Sequence, residues 1–283
     1  MSTNRKKRRG AFLNPLTPSF YFPAKKSLGQ HFLKNPRVVE RMLETAHLER
    51  GETVLEIGPG TGILTEGLLM AGARVVAIEA DERAVLLLRK RYAKAIASGA
   101  LTLSHADVRD VRVGEVISAG ESYSIIANIP YYLSGILLRT ALADTHQPRQ
   151  VVFLVQNEVA ERIARSHKES LLSLSVKAYG RPRYICAVSR GNFTPPPDVD
   201  GAILAIDRIS RARFQTLDEA WFFAVLRAGF AARRKQLLGN LAALRAKEIL
   251  LRHFTALGIP QRVRGEDLSI DTWCALAAAL VQD

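Results

Sequence analysis

The chain has 283 residues, which is enough for one large domain and a smaller second one. Its hydrophobic content of 48% supports a packed core, and its net charge of +13 predicts a polyanionic partner. The two cysteines, Cys186 and Cys274, exclude a disulfide scaffold and indicate a reducing compartment. No apolar run reaches the roughly 18 residues of a membrane span, and no secretory signal or metal-ligand spacing is visible. We therefore expect a cytoplasmic protein that uses no metal and binds no membrane, with organelle import left open.

The positive charge is concentrated toward the two ends of the chain. Residues 1–50 carry eleven Lys or Arg and three acidic residues, residues 51–210 carry 18 and 17, and residues 211–283 carry eleven and seven. Basic ends around a near-neutral middle fit an enzyme that holds nucleic acid at the rims of its cleft. A generally basic protein is the simpler alternative. Residues 1–24, with a basic run at 5–9, are predicted to be a flexible arm.

A glycine-rich turn follows the first long predicted strand. Residues 53–57 predict a buried parallel strand, 58–62 are Gly-Pro-Gly-Thr-Gly, and 63–71 predict a helix. Such a turn lets a ligand approach the backbone closely. A dinucleotide fingerprint would need a third glycine where the chain has Ile63. Glu56, just before the turn, suits a cofactor with a cationic amino-acid end; a turn that only packs is the alternative.

Acidic residues follow the next two predicted strands. The strand at 74–78 ends in Glu79, 21 residues after Gly58, where a carboxylate can hold both ribose hydroxyls of a nucleoside. The strand at 101–105 is followed by Asp107, placed to accept from an adenine amino group, and by Val108, which can cover the ring. Each carboxylate alone is more often a solvated strand end. Ligands bind beyond the carboxyl ends of parallel strands, so we expect these residues to share one site.

A fourth strand end carries the most specific pattern, Asn128-Ile129-Pro130-Tyr131, after an apolar run at 123–127. An Asn side chain and a nearby backbone carbonyl can accept hydrogen bonds from the exocyclic amine of a nucleobase. The proline holds the loop, and the tyrosine offers a face for stacking. The four strand ends together predict an S-adenosylmethionine-dependent N-methyltransferase.

The remaining predicted elements complete the sheet and form a helical C-terminal region. Helices are predicted over 36–47, 134–143 with Ser134 as cap, 158–165 and 171–179, with a fifth buried strand over 151–155. Strands at 183–188 and 202–206 suit a closing antiparallel hairpin. We predict an α/β, Rossmann-like methyltransferase domain over 25–210, whose seven-stranded sheet is mostly parallel. From residue 217 the pattern is helical only. It includes helices over 237–247 and 248–257 and a last one capped by Ser269, which predicts a small domain of four or five helices over 211–283.

A proline-rich loop separates the two hairpin strands. Asn192-Phe193-Thr194 is followed by three prolines at 195–197. Three prolines make a stiff, extended segment. We expect this segment to hold Phe193 out near the mouth of the site; the alternative is a phenylalanine that plugs the core.

Five segments resemble the family of small-subunit ribosomal RNA adenine N6-dimethyltransferases, the bacterial proteins whose loss gives kasugamycin resistance. They are KSLGQHFL at 26–33, LEIGPGTG at 55–62, NIPYYLS at 128–134, FTPPPDVD at 193–200 and FAARRK at 230–235. They follow the family's order over about residues 25 to 275 and are highly specific together, whereas the second alone is shared with many methyltransferases.

The resemblance implies roles for individual residues. It implies a cofactor pocket lined by His31, Leu33, Gly58, Glu79, Asp107 and Asn128, to which the strand-end analysis adds Gly60 and Val108. The residues expected at the reacting base are Asn128, Ile129 and Pro130, with Tyr131 and Phe193 sandwiching the target adenine. Arg233, Arg234 and Lys235 are expected to meet rRNA phosphates. The implied substrate is two adjacent adenosines in a 3′-end hairpin loop of 16S rRNA within the immature 30S subunit, each methylated twice by a monomer that uses S-adenosylmethionine.

Some positions depart from the commonest family pattern, and two rival functions stay open. His31 stands where Asn is frequent, Ile129 replaces Leu, Tyr132-Leu133 is unusual, and residues 237–240 lack a basic residue often found there. The last departure predicts a slightly weaker grip on RNA. One rival is an erythromycin-resistance-type enzyme that acts on large-subunit (23S) rRNA, which the segments at 193–197 and 230–235 disfavour. The other is a non-catalytic ribosome-assembly factor.

Overall fold

The structure is a computed structural model that describes residues 22–232 and 234–281. The predicted basic arm lies outside the described residues except for its last three, and so does Arg233. None of the described helices is long and apolar enough to cross a membrane.

Among the described residues, nine strands form two sheets. They are β1 (Phe32–Leu33), β2 (Thr53–Ile57), β3 (Arg74–Glu79), β4 (Leu101–His105), β5 (Tyr123–Asn128), β6 (Gln150–Gln156), β7 (Arg181–Val188), β8 (Phe193–Thr194) and β9 (Gly201–Asp207). Seven of them make one sheet in the order β4-β3-β2-β5-β6-β9-β7, and β1 pairs with β8 in a separate ribbon. Strands β2 to β6 pair in parallel, and β9 is antiparallel to both of its neighbours. The predicted mostly parallel, seven-stranded sheet with a closing antiparallel pair is confirmed.

In the part of the chain that the structure describes, eight helices connect or flank the strands, and four follow the last strand of the sheet. The first group is α1 (Pro36–Ala46), α2 (Ile63–Met70), α3 (Glu82–Arg91), α4 (Ala93–Ala97), α5 (Val113–Val116), α6 (Ser134–Ala143), α7 (Asn157–Ala164) and α8 (Leu171–Tyr179). The second group is α9 (Glu219–Gly229), α10 (Leu237–Leu241), α11 (Lys247–Ala256) and α12 (Ile270–Ala279). These bounds agree closely with most of the predicted elements.

Alternate residues of the central strands face opposite sides of the sheet, so each side has its own core. On β2, Leu55 and Ile57 belong to the core that also contains residues of α6 and α8. Val54, the residue before Leu55, faces the other side and belongs to the core formed with α1 and α2. Burial on both faces explains why these strands read as continuous apolar runs.

The C-terminal helices share the first of these cores with the sheet. Phe222 of α9 and Trp273 of α12 are fully buried and belong to the cluster that contains Leu204 of β9. Gly229, at the end of α9, leaves room for the indole, because a Cβ there would lie 2.2 Å from the Trp273 ring. The helical end therefore packs directly on the sheet domain.

Two local predictions are wrong. Ser134 is not a cap but the first residue of α6, and its hydroxyl donates to the Tyr131 carbonyl at 2.9 Å. The helix predicted over 237–247 ends at Leu241. Ser269 does cap α12, as predicted, and its hydroxyl accepts from the Thr272 amide at 3.2 Å.

Candidate active site

One pocket opens at the carboxyl ends of β2, β3, β4 and β5, and the residues predicted at these strand ends line it. They are Gly58, Gly60, Glu79, Asp107, Val108, Asn128, Ile129, Pro130 and Tyr131. His31 and Phe193 line the same pocket, and they lie at the β1–β8 ribbon, where Phe32 pairs with Thr194 and Leu33 with Phe193. Leu33 does not line it: its side chain is buried in the core and borders a smaller cavity beside Glu56.

The glycine-rich turn leaves backbone open to the pocket. Gly58 and Gly60 have φ angles of 67° and 57°, which side chains rarely adopt. A Cβ on Gly58 would meet nothing within 4 Å, whereas one on Gly60 would lie 3.0 Å from the Phe32 ring. The open side over Gly58 is where a ligand can approach the chain.

Glu79 fixes the turn and faces the pocket. Its Oε2 accepts from the Gly60 amide at 2.9 Å, and its Oε1 accepts from the Asp81 amide at 2.8 Å. The side chain is buried, and burial raises the pKa of its carboxyl. A carboxylate offers about four acceptor positions, so both oxygens can still accept from a pair of ribose hydroxyls.

Glu56 lies behind the turn rather than in the main pocket. It is 1% exposed, and its Oε2 accepts from the Thr65 hydroxyl at 2.7 Å. Its Oε1 has no hydrogen-bond partner among the described residues. Burial raises the pKa of this carboxyl to about 8. Glu56 borders the smaller cavity with Gly58 and Asn128, where a cationic group would find an unsatisfied oxygen.

Asp107 lines the pocket just after β4, as the strand pattern predicts, but it already has a partner. Its Oδ1 accepts from the Arg109 amide at 2.9 Å and from Arg109 Nε at 3.0 Å, and its Oδ2 accepts from Nη2 at 2.6 Å. The Arg109 guanidinium therefore holds the pKa of the Asp107 carboxyl below its usual range. Asp107 stays ionised and is an acceptor only.

The end of β5 presents two acceptors. The Asn128 side-chain amide donates to the His31 carbonyl at 3.3 Å, which turns its Oδ1 away from that carbonyl and leaves it as an acceptor. The Pro130 carbonyl already accepts from the Leu133 amide at 2.9 Å. Of the two backbone carbonyls considered from sequence, Ile129 is therefore the better candidate to accept from a substrate.

Tyr131 and Phe193, the two rings expected to sandwich the target adenine, differ in exposure. Phe193 is 1% exposed and belongs to the core formed with α1 and α2, so the prediction that the prolines hold it out near the mouth is wrong. One side of its ring still lines the pocket. The Tyr131 hydroxyl is buried without a hydrogen-bond partner among the described residues, and burial raises its pKa to about 12. Only Tyr131 remains partly exposed.

Of the residues expected to meet rRNA, Arg234 and Lys235 do not line this pocket. Arg234 and Lys235 are exposed in the turn before α10, and Arg233 lies outside the described residues. Asn240, which sequence reasoning passed over, holds this turn: its side-chain amide donates to the carbonyls of Gly229 at 2.6 Å and Ala232 at 3.1 Å.

Sequence reasoning also missed how the N-terminal segment is fastened over the pocket. The buried Asp81 carboxylate accepts from Gln30 Nε2 at 2.9 Å and from Lys25 Nζ at 3.3 Å. On the other side, a Cβ on Gly29 would lie 3.0 Å from the ring of Tyr132, which is 58% exposed. The one available signal was the position of Gln30 inside the 26–33 motif.

A family model described as "Ribosomal RNA adenine dimethylase" matches residues 21–282. The chain belongs to this family. It is 36% identical over 263 residues to the ribosomal RNA small subunit methyltransferase A of Dehalococcoides mccartyi, covering 92% of this chain and 89% of that protein. It is 35% identical over 278 residues to the Bacillus cereus protein of the same name, covering 94% of each.

Solved structures show the same architecture. A dimethyladenosine transferase from Plasmodium falciparum superposes with a TM-score of 0.73 and 25% identity, over 87% of this chain and 96% of that one. The 23S rRNA methyltransferase ErmE superposes with a TM-score of 0.70 over 89% of this chain and 100% of that one, but at 21% identity it shows the fold alone. The protein is thus an rRNA adenine dimethyltransferase that uses S-adenosylmethionine.

The pocket fits this cofactor. The open backbone at Gly58, the two fixed oxygens of Glu79 and the acceptor-only carboxylate of Asp107 match a nucleoside. The unsatisfied Oε1 of Glu56, beside the turn, matches a cationic end. Among the described residues, no group of three His, Cys, Asp or Glu side chains is arranged to hold a metal ion.

Proposed function

We propose that this protein dimethylates N6 of two adjacent adenosines in a hairpin loop near the 3′ end of 16S rRNA. The substrate is the immature 30S subunit, bound by a monomer in the cytoplasm. The observation that carries the proposal is the convergence of Asn128, the Ile129 carbonyl and Tyr131 on the pocket that contains Glu79 and Asp107. The name shared by the relatives, small subunit methyltransferase A, supports small-subunit RNA as the acceptor.

The chain's own residues would hold the cofactor at the strand ends. Glu79 would accept from the ribose hydroxyls and Asp107 from the adenine amine, while Val108 would cover the ring; all three line the pocket. When bound, S-adenosylmethionine supplies a methyl group already activated by its sulfonium. The protein's task is therefore to prepare the acceptor.

The acceptor nitrogen is the difficult partner, because the lone pair of adenine N6 is delocalised into the ring. Asn128 Oδ1 and the Ile129 carbonyl can accept its two N–H groups and so favour a pyramidal nitrogen whose lone pair faces the methyl group. Such positioning supplies several of the roughly 7–11 kcal/mol available to well-oriented reactants. No general base is required, since the methylated, cationic nitrogen is strongly acidic. After one transfer a single N–H remains, so the site must admit a methyl group where a proton was.

The target base must leave its stack to reach Asn128, which costs a few kcal/mol and least in a loop. Tyr131 offers the partly exposed face on which the base stacks. Phe193, held in the core, acts as a fixed wall of the same pocket rather than as a free outer ring. Arg234 and Lys235 would meet the phosphates of the surrounding RNA.

The deciding experiment is methyl transfer from labelled S-adenosylmethionine to immature small subunits that lack the modification, with large subunits as the control. We expect N6,N6-dimethyladenosine in 16S rRNA alone. Label in 23S rRNA would instead favour the resistance-type enzyme. Tight subunit binding without any label would favour an assembly factor and refute the proposal.

A further inference from the structure

Two neighbouring strands are followed by the same Asp-x-Arg arrangement. Asp81 and Arg83 follow β3, and Asp107 and Arg109 follow β4. Each carboxylate caps a helical turn and accepts from the backbone amide of its arginine, at 3.2 Å after β3 and 2.9 Å after β4. In both pairs the arginine Nε donates to Oδ1 at 3.0 Å and Nη2 donates to Oδ2 at 2.6 Å. The two carboxylates are therefore held in the same way.

This two-pronged contact uses most of the acceptor capacity of each carboxylate. A carboxylate offers about four acceptor positions. In both pairs the arginine supplies two donors to Oδ1 and one to Oδ2. One position therefore remains on Oδ2, and the planar guanidinium fixes its direction.

At Asp81 the protein itself fills the remaining position. Oδ2 accepts from Gln30 Nε2 at 2.9 Å, and Lys25 Nζ adds a longer contact to Oδ1 at 3.3 Å. The Gln30 donor is an NH2 group on a trigonal carbon, which is also the form of the exocyclic amine of adenine. The Asp81 pair therefore shows how this arrangement binds an NH2 group.

At Asp107 the equivalent position belongs to the cofactor pocket. Asp107 lines that pocket, and no described residue other than Arg109 donates to its side chain. In the described part of the chain, Arg109 does not line the pocket; it borders the neighbouring apolar cavity with Val111 and Ile136. Arg109 can therefore affect a bound cofactor through Asp107, without touching it.

We propose that Arg109 is a positioning residue that makes the cofactor site selective for a 6-aminopurine. It leaves Asp107 a single acceptor position on Oδ2, and the adenine amine fills this position as the Gln30 amide does at Asp81. The inference rests on the contact between Asp107 and the adenine amine in the proposed function, and deepens it. Without Arg109 the Asp107 side chain, which is 31% exposed, is free to turn and to accept from water instead.

The test is a thermodynamic cycle between the arginine and the amine. Its two ligands are S-adenosylhomocysteine, which remains after methyl transfer, and its 6-deamino analogue, in which hydrogen replaces the amine. We would measure both Kd values without RNA for the wild type, Arg109→Met and Arg109→Lys, with the melting temperature of each protein. Methionine suits the apolar cavity, whereas lysine keeps the charge and loses the planar pair of donors. Arg83→Met, which removes the matched contact after β3, is the control.

We expect the wild type to bind the deamino analogue about tenfold or more weakly than S-adenosylhomocysteine, because the lost hydrogen bond is made to a charged group. In Arg109→Met this ratio should fall to about threefold or less, with Arg109→Lys between the two. Arg83→Met loosens the N-terminal segment over the pocket, so it should weaken both ligands alike and keep the wild-type ratio. In Arg109→Met, kcat at saturating cofactor and 30S subunits should stay within about twofold, since Arg109 does not touch the acceptor.

The ratio of the two Kd values decides the assignment. A ratio in Arg109→Met that equals or exceeds the wild-type value would make Arg109 a structural ion pair only. A wild-type ratio in Arg109→Lys would show that charge alone suffices and would refute the positioning role. If Arg109→Met melts far below the wild type, Arg109→Lys decides by the same criterion. A wild type that binds both ligands equally would instead remove the Asp107–amine contact from the proposed function, and the Arg109 assignment would fall with it.

Discussion

Replacing Glu56 by glutamine should remove a large pH-dependent contribution to the stability of the free protein. The pKa of this buried carboxyl is raised from 4.5 to about 8, chiefly by burial. Between these two pH values, the folded state therefore keeps a proton that the unfolded state has released. The stabilisation is complete below pH 4.5 and is lost as the pH rises to about 8. At about 1.4 kcal/mol for each pH unit, the rise from pH 4.5 to about 8 lowers the free energy of unfolding by about 5 kcal/mol.

Glutamine cannot titrate. Its NH2 group, however, would take the position where Glu56 Oε1 has no hydrogen-bond partner among the described residues. An unpaired buried donor costs about 1–3 kcal/mol. The variant should therefore be less stable than the wild type by that amount below about pH 4.5, and by roughly 1 kcal/mol less than that at about pH 5. Above about pH 8 it should be more stable by about 2–4 kcal/mol, because the larger penalty on the ionised glutamate is gone. The two stability curves should cross between about pH 5 and 7.

Urea unfolding of cofactor-free protein at intervals from about pH 5 to 9 measures this difference, provided the m-value is unchanged. Glu82→Gln, at an exposed glutamate of α3, is the control. Its difference in unfolding free energy from the wild type should not vary with pH. If the free-energy difference between Glu56→Gln and the wild type did not vary with pH, the raised pKa would be refuted.

Three further predictions concern the site and its surroundings. Asn128→Ala should lower kcat by about a hundredfold or more with the 30S affinity nearly unchanged; equal turnover would remove its assigned role. Arg234→Ala should weaken RNA binding and reduce the slope of log K against log salt by about one, whereas Arg89→Ala, at an exposed arginine of α3, should not; an unchanged slope excludes the phosphate contact. Asp81→Asn should cost about 1–3 kcal/mol near pH 7. The Arg83 guanidinium lowers the pKa of Asp81, so this stabilisation is present above its usual pKa and disappears as the pH falls. Urea unfolding at intervals from about pH 7 down to about pH 2 checks it; the loss should shrink steadily in the acid range, and a loss that stays constant over the whole range would contradict the reasoning.

Much of the fold could be predicted from local patterns. The long strands and most of the helices that were predicted lie within two residues of the predicted bounds, because buried parallel strands read as apolar runs bounded by turns. The helices α3, α4 and α5 were not predicted. The shared pocket of Gly58, Glu79, Asp107 and Asn128 was also predictable, since the carboxyl ends of parallel strands meet at one edge.

The features that the sequence did not show depend on which atoms lie nearby in space. The exposure of Phe193 was decided by its pairing with Leu33, far away in the chain. Arg109 takes both oxygens of Asp107, a contact that depends on the turn after β4. Ser134 bonds to Tyr131 rather than capping, because a 3-10 turn at Tyr131–Leu133 precedes the helix.

The sequence by itself determined the architecture, the family and the strand ends that carry the chemistry, because each of these is written in local periodicity and short motifs. Only the tertiary structure decided which way those residues face. His31 and Pro195 are 164 residues apart, yet their contact places an imidazole beside Tyr131. Long-range hydrogen bonds and packing set such side-chain orientations, and no local pattern records them.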